Sequence, residues 1–212
     1  MGFQVYDYRT DLLNSLVTSP IRSRFLRIDP GQDSAPHSHD LGHEVFLVLQ
    51  GRADFEIDGE TQELGPGQMC VALADQMHAI RVVGDEPMIM YLSVTPHIQP
   101  THTLWTEDGQ RLPHRFVPSS AYDVETDTTT PFAELVDKCV GAIRAVADAA
   151  GAAADKEAEL AVTLKGAAAS GDDSAASAAR SDMWDALFPV FKLVGELGSV
   201  WNDLAPRAGK TR

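Results

Sequence analysis

The chain has 212 residues, 44% hydrophobic and 23% charged, a balance that supports a packed core and excludes a wholly disordered or fibrous protein. Seventeen basic against 31 acidic residues give a formal charge of −14, which disfavours a polyanionic partner such as nucleic acid, and no basic patch or basic helix stands out. The two cysteines, Cys70 and Cys139, belong to no C-x-x-C or secretory pattern, so free thiols in a reducing compartment are expected.

Met1 to Tyr6 lacks the basic and apolar regions of a signal peptide, and no stretch approaches the roughly 18 consecutive apolar residues of a membrane span. The expected location is the cytoplasm, with no membrane partner. Next come short apolar or alternating segments at 23–28, 44–49, 53–57, 68–73, 78–83 and 87–94, spaced by about ten residues with turn residues between them. That rhythm predicts a small antiparallel β-barrel or sandwich. Asp58-Gly59 marks a hairpin, because Gly adopts positive φ cheaply and Asp tolerates it.

Composition changes near Thr130. All five lysines follow it, and the acidic, Thr-rich string 123–130 reads as a linker between a β-barrel domain at 1–122 and an α-helical extension at 131–212. In the extension, Phe132, Leu135, Val136, Cys139, Val140, Ile143 and Val146 recur at helical spacing, with Thr130 as the expected N-cap and Pro131 as the first helical residue. Gly151 is a possible interruption, and a loop is expected over 167–173, after Gly166. A second stripe runs through Met183, Leu187, Phe191, Val194, Leu197, Trp201 and Leu204, with a kink or restart expected at Pro189. The two stripes predict an antiparallel helical hairpin and, with so much apolar surface to cover, a homodimer.

The chemistry concentrates in Gly31-Gln-Asp-Ser-Ala-Pro-His37-Ser-His39-Asp-Leu-Gly-His43-Glu44 and the strand that follows. Neutral imidazoles and a carboxylate are borderline ligands for divalent transition metals, and alternation in an extended segment points His37 and His39 the same way. If Glu44 faces inward, Phe46 and Val48 follow it, whereas His43 faces out. His78, at the start of a later strand, is the candidate fourth ligand. Met90 and Tyr91 join Phe46 and Val48 as candidate substrate-binding residues, although alternation allows only some strand residues to face the cavity. His97 and His102 read as ordinary loop residues, with lining of the barrel mouth as the alternative. Arg22, Arg24 and Arg27 read as a solvated face, with inward pairing to a substrate carboxylate as the alternative.

These residues carry a resemblance to the cupin superfamily. Gly31, His37, His39, Glu44 and Gly51 supply every fixed position of its first motif, G-x5-H-x-H-x4-E-x6-G. Its second motif aligns from Gly67 to His78, with Leu73, Asp75 and Val82 standing where the family has Pro, Gly and Asn. The resemblance covers roughly residues 20–95. It implies a single-domain jelly-roll barrel holding one divalent metal (Fe, Mn, Ni or Zn) on His37, His39, Glu44 and His78, with a small-molecule ligand entering at the barrel mouth. The function it implies is a dioxygenase-type oxidoreductase, with a non-catalytic ligand-binding or regulatory cupin and a metal-dependent isomerase as alternatives. For the isomerase, the bases at hand are Tyr91 or a further histidine.

Overall fold

A computed structural model describes residues 2–106, 108–125 and 127–209. The chain divides into two units, one comprising residues 1–128 together with those from 205 onward, the other residues 129–204.

The first unit is built from ten strands: β1 (Asn14–Val17), β2 (Arg22–Ile28), β3 (His37–Ser38), β4 (His43–Gln50), β5 (Ala53–Ile57), β6 (Glu60–Leu64), β7 (Met69–Ala72), β8 (His78–Val82), β9 (Met88–Thr95) and β10 (Thr103–Leu104). They form two antiparallel five-stranded sheets, ordered β1-β2-β9-β4-β7 and β10-β3-β8-β5-β6. Six of these strands lie where the alternating segments place them. β6 is the second arm of the expected Asp58-Gly59 hairpin, and the short β1, β3 and β10 are additions, because two to four residues carry too little periodicity to be read from sequence. The Asp58-Gly59 hairpin joins β5 to β6, with φ of 50° and 81° at its two central residues.

Inward alternation on β4 buries Glu44, Phe46 and Val48, while Met90, Leu92 and Val94 do the same on β9. Phe46, Val48, Met90 and Leu92 join Phe55 and Ile80 of the facing sheet in one apolar core. Gly51 is sterically required where β4 turns toward β5. Its φ is +70°, and a Cβ there would lie 2.5 Å from the Pro87 carbonyl oxygen. Val82, where the resembled motif has Asn, belongs to this apolar core.

The second unit is a hairpin of two long helices, α1 (Phe132–Ser170) and α2 (Asp173–Leu204). α1 begins one residue later than expected, with Pro131 in the N-cap position. It also continues through Gly151 and Gly166, correcting the expected loop at 167–173. A helical glycine costs only about 1 kcal/mol relative to Ala, and the alanine-rich surroundings absorb it. The helix stops where a left-handed residue is available. Gly171 has φ +70°, and its N–H closes onto the carbonyls of Ala167 and Ala168. Asp172 then restarts the chain by accepting the Ala175 N–H at 2.9 Å. α2 passes through Pro189 without a restart. Leu135 and Cys139 of α1 pack with Leu197, Val200, Trp201 and Leu204 of α2. By contrast Trp184, Phe188 and Phe191 are more than half exposed. Both cysteines are free.

Candidate metal centre

Four short-range decisions bring the donors together. β3 is only two residues long, and its His37 stands directly across from His78, the first residue of β8. His39 follows β3 immediately, in the loop before β4. Asp75 adopts φ +66° in the turn before β8, as Asp can, and its N–H donates to the His39 carbonyl at 2.9 Å. Glu44 comes up from β4, where inward alternation also buries Phe46.

The Nε2 atoms of His39 and His78 lie 2.8 and 3.0 Å from Glu44 Oε2, and that of His37 lies 4.0 Å away. All four donor atoms fall within 4.8 Å of one another. His39, Glu44 and His78 are at most 3% exposed, and His37 is the most accessible of the group. His43 is exposed on the opposite face, its Nδ1 accepting the Ala74 N–H at 2.9 Å.

The other nitrogen of each ring explains what the group is suited to hold. Nδ1 of His37 meets the Ala35 carbonyl at 2.8 Å, Nδ1 of His78 meets the Gln76 carbonyl at 2.9 Å, and Nδ1 of His39 meets the Thr101 carbonyl. A carbonyl only accepts, so each Nδ1 carries the hydrogen, and a neutral ring then presents a lone pair at Nε2. Three lone pairs and a carboxylate thus converge in a buried space. Such an arrangement is repulsive unless a cation sits among them, either protons or a metal ion. Ligands at about 2.1 Å from a metal stand roughly 3 to 4 Å apart, which matches the separations from Glu44.

Electrostatics agree. Burial favours protonating the Glu44 carboxyl, but when protons rather than a metal fill the space, Nε2–H groups of His39 and His78 donate to it, outweigh burial and hold the group well below the usual carboxylate range. Burial, reinforced by neighbouring His78, pushes the His37 imidazole down to about 4, so its ring is neutral at neutral pH and available as a ligand.

Beside the donor group lies a cavity of about 410 Å³. Phe46, Met90 and Leu92 form part of its apolar wall, and His37 and Glu44 open onto it. Two expected substrate contacts are placed otherwise. Val48 is fully buried in the core and does not line the cavity. Tyr91 faces the other side of its strand, packing edge-on against Phe25 and donating its hydroxyl hydrogen to Ser23 Oγ at 3.1 Å. Strict alternation is the reason, since Met90 and Leu92 already face inward.

Four polar residues expected in loops or on a solvated face, His102, His97, Arg22 and Arg24, lie in the cavity wall or packed against it. His102 lines it, with its ring centroid 4.9 Å from that of His37 and 4.8 Å from that of His39. Its Nδ1 lies 2.8 Å from Thr101 Oγ1, which lies 2.7 Å from the Tyr122 hydroxyl. His97 is 3% exposed and packs edge-on against Tyr122. Arg22 and Arg24 also line the cavity, whereas Arg27 pairs with Asp29 at the surface. The available signal was the Arg22-x-Arg24 spacing, which puts both side chains on one face without saying which face is buried.

Residues 24–95 match the family model described as "Cupin domain". A curated relative, polyketide synthase CurC of Streptomyces cyaneus, is 34% identical over 67 residues, which are 32% of this chain and 44% of the relative. The chain therefore spans less than half the length of that relative. Among solved structures, an uncharacterized double-stranded β-helix protein from Klebsiella pneumoniae is 23% identical with a TM-score of 0.41, covering 45% of this chain and 91% of its own. A conserved protein of unknown function from Streptococcus pyogenes is 26% identical with a TM-score of 0.39, covering 45% and 89%. Salicylate 1,2-dioxygenase from Pseudoaminobacter salicylatoxidans is 22% identical with a TM-score of 0.34, covering 36% and 20%. No helix among the described residues is long and apolar enough to cross a membrane.

Proposed function

We propose that the cupin domain matched at residues 24–95 holds one divalent transition metal on His37, His39, Glu44 and His78 and acts on a small organic molecule as a dioxygenase-type oxidoreductase. The observation that carries this reading is the set of three Nε2 lone pairs aimed at one buried carboxylate, with a cavity beside them. When bound there, a metal such as Fe(II) would supply Lewis acidity and, through positions left open by four protein ligands, a place to orient substrate and dioxygen.

The chain's own residues do the rest. The carbonyls of Ala35, Gln76 and Thr101 fix the three imidazole planes and tautomers, so the donor atoms are preorganised. Phe46, Met90 and Leu92 exclude water from one side of the cavity and give an apolar molecule a surface to lie on. The hydroxyls of Tyr122 and Thr101 line up behind His102 Nδ1, a chain through which a proton can be held or moved near His37. The isomerase alternative loses Tyr91 as a base, because that residue faces away from the cavity, and keeps His102 as the histidine that could serve. The likeness to a polyketide synthase favours a polyketide-type molecule as substrate.

Anaerobic loading of the purified chain with Fe(II), followed by oxygen uptake against catechols, flavonols, thiols and keto acids, tests the reading. Uptake that depends on both metal and one compound class supports it. Stoichiometric metal without uptake for any class refutes the dioxygenase step and favours a ligand-binding cupin.

A further inference from the structure

Arg22 and Arg24 are charged groups of the barrel interior for which the metal-centre geometry has no use. Arg22 pairs in register with Val94, which pairs on its other side with Glu44; Arg24, Leu92 and Phe46 form the neighbouring row. Residues in one row of an antiparallel sheet share a face, so Arg22 stands two strands from Glu44, roughly 10 Å away at Cα. Arg24, two residues along, stands about 7 Å from Arg22. All four residues that flank the two central strand positions, Arg22, Arg24, Glu44 and Phe46, line the same cavity.

Arg22 is 3% exposed, and the Nε atoms of both arginines are buried without a hydrogen-bond partner. The Arg22 guanidinium lies over the Tyr122 ring at 5.2 Å and reaches Asn14 Oδ1 only at 3.5 Å. Neither arginine forms an ion pair among the described residues. The carboxylates nearest in effect are engaged elsewhere: Glu44 by the histidines, and Asp123 by the backbone and side-chain amides of Asn14. A buried guanidinium without an anion is unfavourable, and an apolar side chain in the same row would pack at lower cost.

We propose that Arg22 and Arg24 form a carboxylate subsite, and that the molecule bound beside the metal centre is a small monocarboxylate with an apolar body. The proposal rests on the reading of this cavity as the substrate chamber, although anion binding by the arginines requires no metal. A carboxylate offers two coplanar oxygens to a guanidinium fork. Its single charge leaves the remainder of the molecule free to lie on Leu26, Phe46, Met90 and Leu92, a wall that inorganic phosphate would leave uncovered.

The test is calorimetric titration of the full chain with benzoate, once after chelation and once after zinc loading, with metal content measured on the same samples. Saturable binding is expected in both states, weakened roughly ten- to hundred-fold by Arg22→Gln and by Arg24→Gln, the range a charge-assisted bond provides. Benzamide should bind far more weakly than benzoate, and inorganic phosphate should not displace it. Arg22→Met should raise the unfolding temperature of the ligand-free chain while removing benzoate binding, whereas an arginine kept for structure would lower that temperature. Binding unchanged in both glutamine variants, benzamide equal to benzoate, displacement by phosphate, or a lowered unfolding temperature in Arg22→Met overturns the proposal. Wild-type chain that binds benzoate without retaining metal upholds the arginine subsite and refutes the metal centre; metal retained without benzoate binding does the reverse.

Discussion

Acidification of the metal-free chain isolates the energetic cost of gathering these imidazoles. His37 titrates near 6.5 when unfolded and is pushed down to about 4 in the barrel by burial and by His78. A depressed folded pKa means that the unfolded chain takes up the proton first, so stability is intact above about pH 6.5 and falls progressively toward pH 4. The 2.5-unit difference between those two values, at 1.36 kcal/mol per unit, amounts to about 3 kcal/mol from this residue, of which about 2 kcal/mol is lost by pH 5. His97, pushed down to about 3 by burial and Arg22, and His102, lowered by burial and His37, act in the same direction. Domains are stable by roughly 5–15 kcal/mol, so the loss is a sizeable fraction of the whole. Urea titrations between about pH 7 and pH 4, read by hydrogen exchange in β4 and β9, report on the barrel independently of the helices. Metal loading should hold the midpoint up at mildly acidic pH, because a metal at a hundred times its Kd adds about 2.7 kcal/mol to the folded state. A midpoint for the metal-free chain that stays flat from pH 7 to pH 4 would refute the buried, neutral placement of these rings.

Further substitutions and one assembly measurement extend this reasoning. Glu44→Gln removes the only anionic donor and should strip bound metal in elemental analysis, while His43→Ala, altering an exposed ring on the other face, should retain it. Phe46→Ala opens a void in the core and should cost about 3–5 kcal/mol in urea unfolding; a cost below about 1 kcal/mol would mean that the site collapses freely. Gly51→Ala forces a Cβ to within 2.5 Å of the Pro87 oxygen at positive φ, and should lower the unfolding temperature more than Gly59→Ala, where a Cβ meets open space. The exposed run Trp184, Phe188 and Phe191 is expected to be covered by a second copy of the chain. Light scattering should give a dimer that Phe191→Glu converts to monomer, and a wild-type monomer would dispose of that expectation.

The elements with strong local signals were legible in the sequence: six strands from two-residue alternation, the Asp58-Gly59 turn, two helices from their apolar stripes, and four candidate donors from side-chain type and spacing. Helix ends were read less well, because a glycine permits a stop without requiring one. Gly166 sits inside α1, and only Gly171 takes the left-handed conformation that closes it. Facing was the larger gap. Arg22 and Arg24 look like any surface pair until β2 is known to lie beside β9 with Arg22 opposite Val94, which aligns them with Glu44 from two strands away. His97 and His102 come from irregular chain beyond the last long strand and Tyr122 from a single short helical turn at Ser119–Tyr122, and no periodicity marks any of them for the interior. Local patterns specify what a segment can become, since they act over three or four residues; which face meets the cavity is set by pairings between residues as far apart in sequence as 22 and 94, and only the assembled sheet fixes those.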